Sequence, residues 1–478
     1  MKKVTLLLFA AVILVLSAGC KSTGSYISRK TNVKVGTYIN EIAKKNMEYE
    51  GIERPPLIVI HGFQGSYLKD SKTGRIVWGK FKSSEVLFGQ DDQYFIELSH
   101  PMQKGVKLEA MDDGIVPDGL LKSIEIKVLG LNVSAVAYNN LIKVLEDGGY
   151  QTEGKALAKG KHYNTLFEFS YDWRRDLPYN ARKLDEFIKE KKEYLKQKYE
   201  KYYGVKDFDV QFDIIAHSMG GLLSRYYLRY GADNLPEDGS MPEITWAGSK
   251  HIDEIFICGT PNAGYLDTFL EMLKGTEVLN LTPSILGTFP TYYQMLPAPQ
   301  TKSILYSGSN KPVDVFNPET WKKYKWGLLN PEEDKTLKIL LPNTKTKKER
   351  FEIAYDHLSK CLRRAKQFIA AMEIKASPPD DIKLNLFAGF SIKTTRRAYI
   401  NPITGKIDKI EYAPGDGKVT AFSALWNKHY EIKSGVFMDS PISWSNVIWL
   451  RAAHMGILEA PAFKDNILFY LLMFETKK

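Results

Sequence analysis

The feature that most constrains the fold is the run Val210-Gln211-Phe212-Asp213-Ile214-Ile215-Ala216-His217-Ser218-Met219-Gly220-Gly221. Val210 to Ile215 is a short apolar stretch of the kind buried on both faces of a parallel sheet. A helical pattern follows through Tyr230 to Gly231, so only a sharp turn at Ser218 separates strand from helix. Such a turn brings the two elements close together and tolerates only small side chains two positions away on each side. Ala216 and Gly220 meet that need, although Gly is the commoner residue where Ala216 stands. Further strand-like runs lie at Leu57 to Ile60, Leu166 to Ser170, Ile255 to Cys258, Leu384 to Phe390 and Val447 to Leu450. Helical spacing recurs over Ala137 to Leu145, Ala181 to Tyr203 and Pro461 to Met473. This alternation predicts an α/β domain over 51–478, with a mainly parallel central sheet and helices on both faces. Two segments break it, about 66–134 and 265–380, and are expected to form cap or lid insertions over the carboxyl ends of the strands.

Composition leaves room for a large core: 44% of the 478 residues are apolar, and 3 cysteines exclude a disulfide scaffold. The net charge of +10 is spread along the chain and reads as a lysine-rich solvated surface. No nucleic-acid-binding motif accompanies it. Lys2 and Lys3 precede an apolar run from Val4 to Leu16, which Ser17-Ala18-Gly19-Cys20 closes. Thirteen residues at about 1.5 Å each cannot cross a hydrocarbon core of about 30 Å, so residues 1–19 are expected to be a cleaved signal peptide. Cysteine at that junction resembles a bacterial lipobox, which implies lipidation of Cys20, a tether over 20–50 and attachment to a membrane after export. Loss of two lysines would leave 64 basic against 56 acidic residues, or +8. Cys258, in an apolar run, is expected to be a small buried hydrophobe; whether it pairs with Cys361 stays open.

Ser218, at the tip of the turn, is the candidate nucleophile. A serine hydroxyl needs a base to take its proton and a carboxylate to orient that base, and on a strand-turn-helix unit of this kind the acid and then the histidine follow the serine along the chain. Asp416, in Pro414-Gly415-Asp416-Gly417-Lys418-Val419, is the expected acid. His357 precedes it, leaving His429 and His454. His454 follows an apolar run and precedes the final helix, where a last strand-to-helix loop belongs, so it is the expected base; His429 lies in a charged stretch. The N–H of Met219 and that of Phe63, in Ile60-His61-Gly62-Phe63-Gln64-Gly65, are the candidate oxyanion donors. His61, upstream of the serine, reads as a structural hydrogen-bonding residue.

In order, His61-Gly62-Phe63-Gln64-Gly65, Tyr171-Asp172-Trp173-Arg174-Arg175, Ala216-His217-Ser218-Met219-Gly220, Gly259-Thr260-Pro261, Gly415-Asp416-Gly417 and His454 resemble the lecithin:cholesterol acyltransferase-like α/β-hydrolases. The resemblance runs from about Pro55 to the end of the chain, and the Tyr-Asp-Trp-Arg-Arg element is its most distinctive part. It implies transfer or hydrolysis of fatty acyl groups of phospholipids or neutral lipids through a Ser-His-Asp acyl-enzyme beneath a mobile lid, with no cofactor or metal. It also implies that Tyr171 to Arg175 shape the pocket or buttress it; core packing is the other reading of Trp173. The caps differ too much to carry over an acceptor or head-group site. Complete triad candidates in the required order argue against a catalytically silent lipoprotein that binds lipid or a partner.

Overall fold

In the computed structural model, residues 44–82, 92–128, 131–136, 138–276, 281–427 and 440–473 are described. The signal segment, Cys20 and His429 lie outside them. Six of the apolar runs pair into one sheet: β1 (Leu57–Ile60), β2 (Leu166–Phe169), β3 (Phe212–His217), β4 (Ile252–Cys258), β5 (Lys383–Gly389) and β6 (Asn446–Leu450). Their order is β2-β1-β3-β4-β5-β6, and every neighbouring pair is parallel. Strand β3 starts two residues later than the apolar run, at Phe212, which pairs with Ile252 of β4; Asp213 then pairs with Leu57 and donates its N–H to the Pro56 carbonyl.

Because side chains alternate across a pleated sheet, one register row explains both cores. Phe169, Ile60, Ala216, Ile257, Leu386 and Val447 stand side by side and point to the larger apolar layer. Their neighbours Val59, Ile215 and Phe256 point to the other. Helices α1 (Asn139–Asp147) and α6 (Pro461–Leu472) cover this second face through Leu141, Leu145, Phe463 and Ile467. Between those two in the chain, α2 (Leu177–Tyr203) covers the first face with Leu184, Ile188 and Leu195, and α3 (Met219–Tyr230) is buried along its whole length. A sheet buried on both sides by helices is the α/β-hydrolase architecture that the alternation and the resemblance imply.

The insertions divide. Ser66–Asp70 pairs antiparallel with Ile76–Trp78 and Ile115–Leu120 in a small separate sheet. In the second insertion, α4 (Leu266–Lys274) and short helices at Pro283–Leu286 and Pro290–Gln294 stand at the carboxyl ends of the strands. Helix α5 (Lys347–Glu373) instead packs on α3: Tyr226 stacks on Phe368 at 5.6 Å between ring centroids, and Arg225 and Tyr230 donate to the carbonyls of Met372 and Ala371. The carboxyl end of α5 thus covers the helix behind Ser218, while the rest of it packs on the short helices of the second insertion, Pro290–Gln294 above all. After β5, an antiparallel ribbon of Ile392–Ile400 and Ile407–Gly415 delivers the chain to Asp416.

Candidate active site

Ser218 sits in the turn between β3 and α3 at φ 53° and ψ −125°, a left-handed conformation that a serine adopts only under constraint. Three hydrogen bonds supply it. The Ser218 N–H donates to the Cys258 carbonyl at 2.8 Å, and its own carbonyl accepts from Thr260 Oγ1 at 2.8 Å and from the Gly221 N–H at 3.0 Å. The small neighbours are required by contact distance: a Cβ on Gly220 would lie 2.4 Å from the His61 carbonyl oxygen.

Asp416, Ser218 and His454 meet at the carboxyl edge of the sheet. His454 Nε2 is 2.9 Å from Ser218 Oγ, and His454 Nδ1 is 2.8 Å from Asp416 Oδ2. The ribbon ends where the Asp416 carboxylate is buried at 2% exposure, and its other oxygen, Oδ1, accepts the N–H groups of Lys418 and Val419 at 2.9 and 2.7 Å. The His454 N–H also donates to the Asp416 carbonyl at 2.8 Å, so main chain and side chain fix the imidazole together. Since an ionised carboxylate only accepts, Nδ1 carries the proton and Nε2 is free to accept that of Ser218; this tautomer follows from the hydrogen-bond network. His357 is elsewhere, buried against the Thr288 carbonyl at 3.0 Å.

The loop after β1 faces Ser218. A turn closed by the Gly65 N–H on the Gly62 carbonyl (3.1 Å), with Gln64 at φ 62°, leaves the Phe63 N–H without an acceptor among the described residues. Met219 is the first residue of α3, so its N–H has no partner one turn back in the helix. Met219 adjoins Ser218 in the chain and Phe63 lines the same cavity as the serine, as expected of residues that supply oxyanion donors.

The Tyr171-Asp172-Trp173-Arg174-Arg175 element holds that loop from behind. The Tyr171 hydroxyl donates to the His61 carbonyl at 2.8 Å, and the two rings stack at 4.2 Å. Trp173 does not line the cavity. It is fully buried and meets Phe63 edge-on at 4.8 Å, also touching Trp78 and Phe289, so its effect on the site passes through Phe63. Arg174 grips Asp172 at 3.0 and 2.8 Å and donates to the Leu98 carbonyl at 3.1 Å, while Arg175 donates to the Met111 carbonyl at 2.9 Å. One short motif thus fastens the first insertion to the body and braces the loop beside the serine.

A cavity of about 570 Å³ opens over Ser218 and His454. Phe63, Tyr265, Leu270, Leu286, Tyr292 and Met295 give it an apolar wall, mostly from the second insertion; none of the described residues of 66–134 lines it. At one side Lys418 Nζ approaches Glu271 at 3.3 Å and Asp267 at 3.7 Å, and Thr395 donates to Asp267 at 2.6 Å, tying α4 to the acid loop and the ribbon.

Two residues of the site have no role in the sequence reading. Tyr138, at the start of α1, and His217, beside the nucleophile, are both buried and hydrogen-bonded to each other at 2.9 Å. His217 stands in the quoted motif; Tyr138 has no signature of its own. Burial drives the imidazole of His217 down to about 3, with a smaller contribution from His454, and burial does the same to His61. A neutral buried histidine lowers stability as pH falls, because only the unfolded chain takes the proton below about 6.5. Burial pushes Asp213 the opposite way, so the histidine effect is isolated by a variant. Relative to His61→Gln, the wild-type protein should lose on the order of 2 kcal/mol of its advantage between pH 7 and 4.5. Thermal melts at both pH values measure this, and a constant gap would contradict it.

A family model described as "Lecithin:cholesterol acyltransferase" matches residues 97–362, more than half of the chain. No curated protein sequence matches. Among solved structures, one chain of the Tle4-Tli4 complex aligns with TM-score 0.52 at 14% identity, covering 88% of this chain and 98% of that one. EstA from Clostridium botulinum aligns with TM-score 0.34 at 12% identity, covering 90% of each chain. Staphylococcus hyicus lipase aligns with TM-score 0.35 at 15% identity, covering 89% and 98%. At such identities the first of these shows a shared fold, and the family rests on the sequence model.

Proposed function

Since the chain belongs to the lecithin:cholesterol acyltransferase family, we propose that it is a serine-dependent lipid esterase or acyltransferase acting on fatty acyl esters. The observation that carries this reading is the continuous hydrogen-bonded row from Asp416 through His454 to Ser218 beneath a cavity with an apolar wall. Ser218 Oγ attacks the ester carbonyl while His454 Nε2 takes its proton; the carbonyl π electrons move to oxygen, which the Phe63 and Met219 amides hold. Asp416 keeps the imidazole in the accepting tautomer and stabilises the imidazolium that forms. Collapse of the tetrahedral intermediate breaks the bond to the leaving alkoxide, which receives the proton from His454 and departs as the alcohol. Water, or a second alcohol, then attacks the acyl-enzyme by the same steps and regenerates Ser218.

The apolar wall suits an acyl chain, whose burial contributes about 0.8 kcal/mol per CH₂. The protein is further proposed to be exported and held to a bacterial membrane by lipid on Cys20, which would place the cavity beside its substrates. An alkyne-tagged fatty acid fed to cells should label the wild-type protein and not Cys20→Ser; equal labelling would contradict the anchor.

Ser218→Ala tests the reading itself. The full-length protein in detergent should release fatty acid or form a new ester from labelled phospholipid, and the variant should lose at least about 10⁴-fold of that rate. Free fatty acid alone marks hydrolysis, and a labelled ester of an added alcohol marks transfer. Undiminished turnover by Ser218→Ala would place the nucleophile elsewhere.

A further inference from the structure

We infer that Tyr138 and His217 are positioning residues that lock the oxyanion loop to the main chain of the base; the inference rests on the acyl-transfer reading above. The Gly62 N–H donates to the Tyr138 hydroxyl oxygen at 2.8 Å, Tyr138 Oη lies 2.9 Å from His217 Nδ1, and His217 Nε2 lies 3.3 Å from the His454 carbonyl oxygen. The protons along this row have one arrangement that satisfies every group. A carbonyl oxygen can only accept, so His217 Nε2 carries hydrogen, Nδ1 is bare, and the Tyr138 hydroxyl donates to it while accepting from Gly62. A proton on Nδ1 instead would set the Nε2 lone pair against a carbonyl and leave the tyrosine hydrogen without an acceptor in the row. The neutral forms are held by burial, which raises Tyr138 and lowers His217 to about 3.

The row joins three parts of the fold that share no strand. Gly62 immediately precedes Phe63, His217 immediately precedes Ser218, and the third contact is the backbone of the base itself. α1 contributes the tyrosine from the opposite face of the sheet, so the row crosses from the oxyanion loop to the last loop of the chain; its hydrogen bonds end on the main chain of His454, whose ring lies 5.0 Å from that of His217. Phe63 N–H must meet an oxygen whose charge appears only in the transition state, and a shift of a few tenths of an ångström weakens that contact while leaving acyl-chain binding alone.

Tyr138→Phe removes the hydroxyl and nothing else. On a chromogenic acyl ester, the full-length variant should show kcat reduced about 10–100-fold with KM within twofold of wild type. An alkyl trifluoromethyl ketone, on whose carbonyl carbon Ser218 Oγ forms a hemiketal bearing an anionic oxygen, should bind it more weakly by the same factor. The corresponding alkyl methyl ether, which forms no oxyanion, should bind it equally well. His217→Asn keeps an acceptor for Tyr138 but not the reach to His454; it should retain more activity than His217→Ala, and combined with Tyr138→Phe it should be no more than twofold worse than the weaker single variant. These two variants decide the matter should Tyr138→Phe melt early. An active wild type with kcat unchanged in Tyr138→Phe, or with KM raised instead of kcat lowered, overturns the inference. A wild type without turnover overturns the acyl-transfer reading instead.

Discussion

His454→Ala should reduce kcat/KM by about 10⁴–10⁶-fold on any ester the enzyme accepts, because the serine hydroxyl then has no base within reach. The magnitude follows from the way the row is built. The imidazole is hydrogen-bonded to both Ser218 Oγ and the Asp416 carboxylate, at 2.9 and 2.8 Å, so its removal severs both contacts at once. Asp416 keeps the Lys418 and Val419 amides, so the acid loop is expected to stay in place and the thermal midpoint to move by only a few degrees. Asp416→Asn should cost about 10⁴-fold in kcat by a different route: an amide NH₂ facing Nδ1 favours the tautomer with hydrogen on Nε2, which cannot accept the serine proton. His429→Ala should be as active as wild type. Steady-state kinetics on the three variants measure this, and an equal loss in His429→Ala and His454→Ala would remove the assignment of the base.

Gly62→Ala should lower kcat by about 100-fold or more without touching a single functional side chain. The added Cβ would fall 2.7 Å from Ser218 Cβ, 3.2 Å from the His217 carbonyl and 3.3 Å from Ser218 Oγ. None of these can give way cheaply: Ser218 is pinned by three hydrogen bonds in a strained conformation, and the carbonyl belongs to the central strand. The loop must move instead, taking the Phe63 amide away from the developing charge. Overpacking of this kind costs about 1–3 kcal/mol, so the variant should remain folded and show its defect mainly in kcat. Gly220→Ala is the harsher case, since its methyl would press on the His61 and Ile60 carbonyls at 2.4 and 2.8 Å, and it should lose stability as well. Kinetics and melting curves on the two variants separate these effects; unchanged kcat in Gly62→Ala would mean that the loop takes no part in the reaction.

What was legible in the sequence follows from how each element is buried. The central strands carry continuous apolar runs because helices cover both faces, and the turn at Ser218 is written in the small residues around it. The ribbon that carries Asp416 was not legible. One of its faces is largely open to solvent, with Lys393, Arg397, Lys409 and Glu411 among its residues, so no apolar run marks it. The aspartate was found from its glycine-flanked turn instead. Trp173 shows the limit of a motif: the residue matters to the loop, but through packing behind Phe63 rather than as a wall of the cavity. Tyr138 could not be found at all, because a tyrosine at the start of a helix looks the same whether its hydroxyl meets water or a buried imidazole. Helix α5, too, carries a lysine-rich solvent face like that of α2, and nothing in that pattern shows that its carboxyl end packs on α3.

The account's central claim is that Ser218 becomes the nucleophile through His454. Its most direct test is a fluorophosphonate added to the full-length protein, followed by mass spectrometry of the peptides. One adduct should form on Ser218, none on Ser218→Ala, and labelling of His454→Ala should be slowed by several orders of magnitude. An adduct on another residue, or labelling of His454→Ala at the wild-type rate, would contradict it.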